Sequence, residues 1–308
     1  MSRTIKVATV AVYMNQECVE TQLLVDRAAA LVEEAGEKWK PDVMVLPELF
    51  DVVTYPRERW SEISGEEIPG NGPIQTRFSA LARKYGMYLC FAMLETCGDK
   101  HYNTAVLVDR NGSYVGKYRK THLCPSEDEY ITPGDEYPVF ETDFGKVGIT
   151  TCMDIHSPEL HRILALEGAE IILHPTMWYD YTGNYNEVLV NARAIDNGVY
   201  FVTADYIKMP FLVGDWMGHA RIVDPYGRTR ADTSHRPGIA VAEIDLDENY
   251  ESWYTGWLKT EYPTMKDTYM KLRRPETYGV LTRPDSENKW QNENYKLYRP
   301  SNGEKKPY

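Results

Sequence analysis

Strand-like and helix-like segments alternate over residues 1–260 of this chain, and no other feature restricts its fold as strongly. A strand must bury at least one face and a helix one stripe, so the alternating order calls for sheets covered by helices, an α/β architecture. Residues 5–13 read as a strand rich in β-branched side chains, and 20–36 set Leu23, Leu24, Ala28, Leu31 and Val32 at helical spacing. Residues 43–47 and 87–94 are short apolar runs expected to be buried strands, with a helix predicted over 73–85 between them. Residues 104–120 read as two strands around Arg110-Asn111-Gly112, where Asn-Gly supplies the positive φ angles of a tight turn. Further on come a strand at 147–152, a helix opened by Ser157-Pro158-Glu159, a strand at 170–176, a helix near 184–197, and strands at 199–206, 219–223 and 239–245. Serine before proline before glutamate fits an N-cap, a first helical position and an acidic first turn.

Neither a repeat nor a low-complexity linker interrupts 1–260, which reads as one domain. Beyond about 262 the composition turns to Tyr, Arg, Pro, Asn and Lys, too poor in aliphatic side chains for a core of its own, so the end of the chain reads as a tail or an arm laid on a neighbour. Lys and Arg number 34 against 46 Asp and Glu, a net charge of -12 that repels a phosphate backbone, so nucleic acid is not an expected partner. No apolar run approaches the roughly 18 residues of a membrane span. Five cysteines without a CxxC pair give neither a zinc ribbon nor a disulfide framework, and the opening residues lack the three regions of a signal peptide, so a reducing cytoplasm is the expected compartment.

Three reactive side chains fall at the ends of predicted strands: Glu48 after VMVLP, Lys120 in KYRKTHL, and Cys152 after VGITT. Ligands gather at the carboxyl ends of strands in open α/β sheets, so these three can converge on one site. Each alone has another reading. Glu48 can be a solvated cap, Lys120 one member of the basic edge Lys117, Arg119 and Lys120, and Cys152 an inert core thiol like Cys90.

PELF with Glu48, YRKTHL with Lys120 and TCMDIHSPE with Cys152, in this order, resemble the nitrilase-like carbon–nitrogen hydrolases of the amidase and carbamoylase branches. The similarity continues through EDEYITPGD at 127–135, RAIDNGVYFV at 193–202, GHARIVDPYG at 218–227 and RRPETYGVLT at 273–282. The resemblance implies a four-layer α-β-β-α sandwich over residues 1–282, with 283–308 as an oligomerisation arm in a homodimer or larger homo-oligomer. It also implies a Glu48, Lys120, Cys152 triad, with Glu127 as a second glutamate that orients Lys120; Glu129 is the competing assignment. Tyr55, Trp178 and Tyr179 are the candidate substrate-contacting aromatics.

The chemistry of these residues agrees with that implication. A nucleophilic thiol needs a base and a positive neighbour, which Glu48 and Lys120 supply. Lys120 and the backbone N–H of Met153 can hold the oxyanion formed on attack at an amide carbonyl. No cofactor and no metal are expected, because GxGxxG, P-loop, HExxH and GxSxG patterns are absent and His156 and His161 do not stack on one helical face. The expected reaction is hydrolysis of a small amide or N-carbamoyl (ureido) compound with release of ammonia. Nitrile hydrolysis, acyl transfer from the same thioester and a non-catalytic binding role are the alternatives. Nitrile-cleaving relatives typically carry Trp-Glu after the cysteine, where this chain has Met153-Asp154. Ile155-His156 stand where carbamoylases carry arginines, so the pocket is expected to favour neutral or cationic substrates over α-carboxylates.

Overall fold

The computed structural model describes residues 2–14, 16–17, 19–125, 127–178, 185–208, 219–251 and 263–283. Its contacts divide the chain into two units, Met1–Tyr269 and Met270–Tyr308. The described part of the second is a succession of short turns, with 3-10 segments Pro275–Thr277 and Gly279–Thr282.

The first unit follows the alternation. Strand β1 (Thr4–Tyr13) leads to helix α1 (Thr21–Lys38), then β2 (Val43–Val45), the single turn α2 (Trp60–Ile63), α3 (Pro73–Tyr85) and β3 (Tyr88–Cys97). The hairpin β4 (Lys100–Val108) and β5 (Tyr114–Arg119) follows, then β6 (Val139–Glu141), β7 (Lys146–Ile149), α4 (Pro158–Leu166), β8 (Ile171–Pro175), α5 (Tyr185–Asn197) and β9 (Tyr200–Lys208). Strands β10 (Arg221–Val223), β11 (Thr229–Asp232) and β12 (Gly238–Asp245) complete the sheet.

Two half-sheets share one hinge line. One runs β5-β4-β3-β2-β1-β12 and the other β6-β7-β8-β9-β10-β11, and they join where the last residues of β1 pair with β9, Ala11 opposite Asp205. Alternate side chains of the first half, Val7, Val45, Cys90 and Leu107 among them, pack against Val147, Ile149, Ile171, Leu173 and Val202 of the second, which makes the two halves a sandwich. The intervening residues of the first half, Ala8, Val10, Met44, Leu89 and Phe91, pack against α1 and α3 through Val25, Ala29, Val32, Ile74 and Phe78. Both faces of these strands are therefore covered, which explains why they read as continuous apolar runs. On the outer face of the second half, the rings of His161 of α4 and His174 of β8 lie against Phe201, with centroids 5.6 and 5.4 Å apart. The layers are α-β-β-α, as the resemblance implies.

Several local details differ from the sequence reading. In the β4–β5 turn only Gly112 takes a positive φ (75°); Asp109 Oδ1 accepts the N–H groups of Asn111 and Ser113 and shapes the turn, so Asn111 stays on the right-handed side. Ser157 precedes α4 without a side-chain cap bond. Lys117 and Arg119 do not form a solvated edge but clamp the fully buried carboxylate of Glu95, at 2.5 and 2.6 Å.

Candidate active site

All the strands that deliver the candidate residues run in one direction. β2, β1, β9, β8 and β7 form a continuous parallel path, and β5 is antiparallel to β4, which is antiparallel to β3, so β5 runs with β2. The loops after β2, β5, β7 and β8 thus leave from the same end of the sandwich, and they carry Glu48, Lys120, Cys152 and Trp178.

Lys120 stands between two carboxylates. Its Nζ donates to Glu48 Oε1 at 2.9 Å and to Glu127 Oε2 at 2.8 Å, and the amide of Asn103 on β4 donates to both acids, at 2.6 and 3.2 Å. Lys120 is 1% exposed and Glu48 wholly buried. A buried ammonium is costly unless paired. Desolvation pulls against the charge on Lys120, but Glu48 and Glu127 outweigh it and hold the ammonium well above the ordinary lysine range. Burial likewise opposes ionisation of Glu127, and Lys120 with the N–H of Cys124 reverses it, so that carboxyl lies below its ordinary value. Glu129 is solvent-exposed, so of the two glutamates it is Glu127 that the structure brings to Lys120.

Cys152 opens a 3-10 turn, Cys152–His156, with φ of 48°. A non-glycine residue in this region costs on the order of 1–3 kcal/mol and persists only where the surroundings impose it. Leu49, next to Glu48, shares the feature with φ of 47°. What imposes the turn at Cys152 is Asp154. Its carboxylate accepts the N–H of Thr151 at 2.8 Å, the hydroxyl of Tyr118 at 2.7 Å and the N–H of His122 at 3.0 Å, tying the cysteine turn to the loop after Lys120. Burial opposes the charge on Asp154; bonds from His122, Thr151 and Tyr118 overcome it and hold the carboxyl below its ordinary value.

The thiol of Cys152 donates to the carbonyl oxygen of Met177 at 3.8 Å, and the sulfur of Cys124 lies 4.0 Å from Lys120 Nζ. The neighbouring Cys124, then burial, push the Cys152 thiol up. Met153 follows within the same turn and is half-buried. Trp178 is buried, its main-chain N–H donated to Asp205 Oδ1 at 3.1 Å and its ring edge-on to His156. Tyr55 packs with Leu49, Val52, Trp60, Leu94 and Ile131, a cluster that adjoins the loop of Glu48. Tyr179 lies outside the described residues. Arg193 donates from Nε to the carbonyl of Ile155 at 2.9 Å, so it supports the cysteine turn from behind, and Arg221 bonds Thr229 and faces Asp232. Among the described residues no cluster of His, Cys, Asp and Glu has the makings of a metal site.

Asn103, Asp154 and Cys124 were not among the residues singled out from the sequence. Asn103 lies in the polar first half of β4, before the apolar run Ala105 to Val108, and had no distinct signal. Asp154 had a local signal, the Thr151-x-x-Asp154 spacing of a capping box, but its bond to His122 spans 32 residues; Cys124 meets the nearby Lys120 and Glu127.

Comparison with known proteins agrees with this geometry. The carbon-nitrogen hydrolase family profile matches residues 6–253. Deaminated glutathione amidase of Mus musculus is 33% identical over 273 residues, covering 83% of this chain and 80% of its own. An omega-amidase of Xenopus tropicalis is 31% identical over 266 residues, covering 83% and 91%, and a nitrilase of Pyrococcus abyssi is 37% identical over 239 residues, covering 76% and 88%. The crystal structure of a Saccharomyces cerevisiae member of the nitrilase superfamily superposes with a TM-score of 0.73 at 29% identity, covering 79% of this chain and 90% of that one. An amidase from Nesterenkonia sp. gives 0.75 at 22% identity, covering 91% and 97%, a likeness of fold.

Proposed function

The chain belongs to the carbon–nitrogen hydrolase family and is a hydrolase acting on amides, and we propose that it works through a thioester on Cys152. The observation that carries the assignment of roles is the buried Lys120 held between Glu48 and Glu127 beside the strained cysteine turn. In this reading Glu48 takes the thiol proton as sulfur attacks the amide carbon. The carbonyl oxygen gains the charge, and the Lys120 ammonium with the Met153 N–H receives it. Glu48 then gives its proton to the departing nitrogen, ammonia leaves, and the same carboxylate draws a proton from the water that cleaves the thioester. Glu127 reacts with nothing; it keeps Lys120 charged and in place.

The substrate is a small linear amide, with N-carbamoyl compounds as the neighbouring class. Arg193 and Arg221 are engaged with Ile155, Thr229 and Asp232, which supports a pocket without a cationic anchor. Trp178, Tyr179 and Tyr55 are its aromatic wall. No cofactor is needed for these steps, and a reducing cytoplasm suits a mechanism that requires a free thiol. The protein works as a homo-oligomer with residues 283–308 as the arm. A screen of ammonia release over amides, ureido acids and nitriles tests the reaction class: fastest release from plain amides supports it, and release from nitriles alone overturns it. Deletion of 283–308 tests the arm by sedimentation, where an unchanged oligomer removes it.

A further inference from the structure

Glu48 and Glu127 bracket Lys120 almost symmetrically, at 2.9 and 2.8 Å, yet hydrolysis needs one of them to move a proton and the other to stay charged. What separates them is how their oxygens are filled. Glu127 has both engaged: Oε2 accepts from Lys120 and from the N–H of Cys124 at 2.9 Å, and Oε1 accepts from Asn103 Nδ2 at 3.2 Å. Glu48 has one: Oε1 accepts from Lys120 and, at 2.6 Å, from the same Asn103 amide, while Oε2 is buried and meets no donor among the described residues.

Asn103 makes that difference. It is 1% exposed, on β4 beside β5, and its carbonyl accepts the main-chain N–H of Lys120 at 2.9 Å. One residue thus holds the backbone of the lysine and both of its carboxylates. The amide can face them only one way, because turning it over would set Oδ1 against two carboxylate oxygens. Its Oδ1 is buried and, among the described residues, without a partner. An unpaired buried acceptor is costly, which sets this amide apart from one that only fills space. Without it, Glu48 would keep Lys120 on Oε1 and Glu127 would keep Lys120 and Cys124 on Oε2, so each acid would offer one empty oxygen and a proton could go to either.

Resting on the thioester reading, we propose that Asn103 is a positioning residue of the hydrolysis. It fills Oε1 of Glu48, so that Oε2 takes the proton from the thiol and returns it to the departing nitrogen. It fills Oε1 of Glu127, so that this carboxylate takes none and stays a counter-charge to Lys120. Asn103 does not titrate, and replacing it leaves the other titratable groups within electrostatic reach of Glu48 in place: Lys120, Cys124, Cys152, Asp205 and Tyr206. A donor bonded to a carboxylate favours its charged form, so removing the donor shared by both acids lets protons on at higher pH.

The test measures kcat and KM for a simple amide against pH in the full-length protein and in Asn103→Leu, which keeps the branched shape and has no donor. The expected result is a kcat lower by about tenfold to a hundredfold, as for a lost bond to a charged group, with KM within about twofold. The midpoint of the acid limb of kcat/KM, which belongs to the coupled pair of acids, is expected to rise by about one pH unit. A substitution that merely loosened the fold would lower activity alike at every pH, and circular dichroism checks the fold itself. Should Asn103→Leu not fold, Asn103→Ser takes its place: one hydroxyl serves at most one of the two acids, so the limb moves the same way. An acid limb that stays in place in a folded variant, or a kcat within about threefold of the wild type, overturns the proposal. Glu48→Gln and Cys152→Ala in the same assay keep the two readings apart. If both are inactive and Asn103→Leu is unimpaired, the role of Asn103 alone fails; turnover by either defeats the thioester reading and this role with it.

Discussion

Replacing Asp154 by asparagine removes a charge and almost no volume, so its effect isolates the hydrogen bonds that hold the cysteine turn. The carboxylate faces donors on both oxygens: Oδ2 accepts Thr151 N–H and Tyr118 O–H, and Oδ1 accepts His122 N–H. An asparagine amide has one acceptor and one donor end, and either orientation sets its NH2 against a main-chain N–H. A buried donor left without an acceptor costs about 1–3 kcal/mol, and bonds to a charged group are worth about 1.5–3 each. Asp154→Asn should therefore lower the unfolding free energy by about 2–4 kcal/mol. The same bonds tie the Cys152 turn to the Lys120 loop, and a displacement of about 1 Å between reacting groups can cost about 100-fold in rate. Urea unfolding followed by tryptophan fluorescence, beside kcat/KM for ammonia release from a simple amide, measures both. A variant within about 0.5 kcal/mol of the wild type, with kcat/KM unchanged, would refute the reasoning.

Lys120→Ala should lose the oxyanion contact, about 2.7–4 kcal/mol in kcat/KM; a loss under tenfold in amide hydrolysis contradicts the role. His161 and His174 are buried and neutral, and desolvation lowers them to about 4 and about 3. Below the ordinary value of 6.5 the unfolded chain binds protons that the folded one refuses, so stability falls from there toward pH 4 at up to about 1.4 kcal/mol per pH unit for each. Urea midpoints against pH should show a shallower fall for His174→Asn, and an identical slope counts against it. For matched amides with and without an α-carboxylate, kcat/KM should favour the neutral member; a tenfold preference for the carboxylate, about 1.4 kcal/mol, would reveal a cationic anchor.

How far the sequence carries depends on how local each signal is. Helix α3 follows from a proline at its start and Gly86 at its end, φ 64°, both written in the chain, and its bounds match the prediction. Strands β6 and β11 went unread because they are short and half-exposed, with too little alternation to show. Glu48, Lys120 and Cys152 were visible because each ends a strand. The network around them was not, because Asn103 meets Glu48, and Asp154 meets Tyr118 and His122, only after the chain folds. The same holds for Lys117 and Arg119, whose buried partner Glu95 lies on another strand.

The thioester on Cys152 is the center of the account, and rapid-quench mass spectrometry of the protein turning over a slow amide observes it directly. The account predicts an adduct of the acyl mass confined to the peptide carrying Cys152, formed with a burst of ammonia, and neither adduct nor turnover in Cys152→Ala. An adduct on Cys124 or any other residue, or sustained ammonia release by Cys152→Ala, would contradict it.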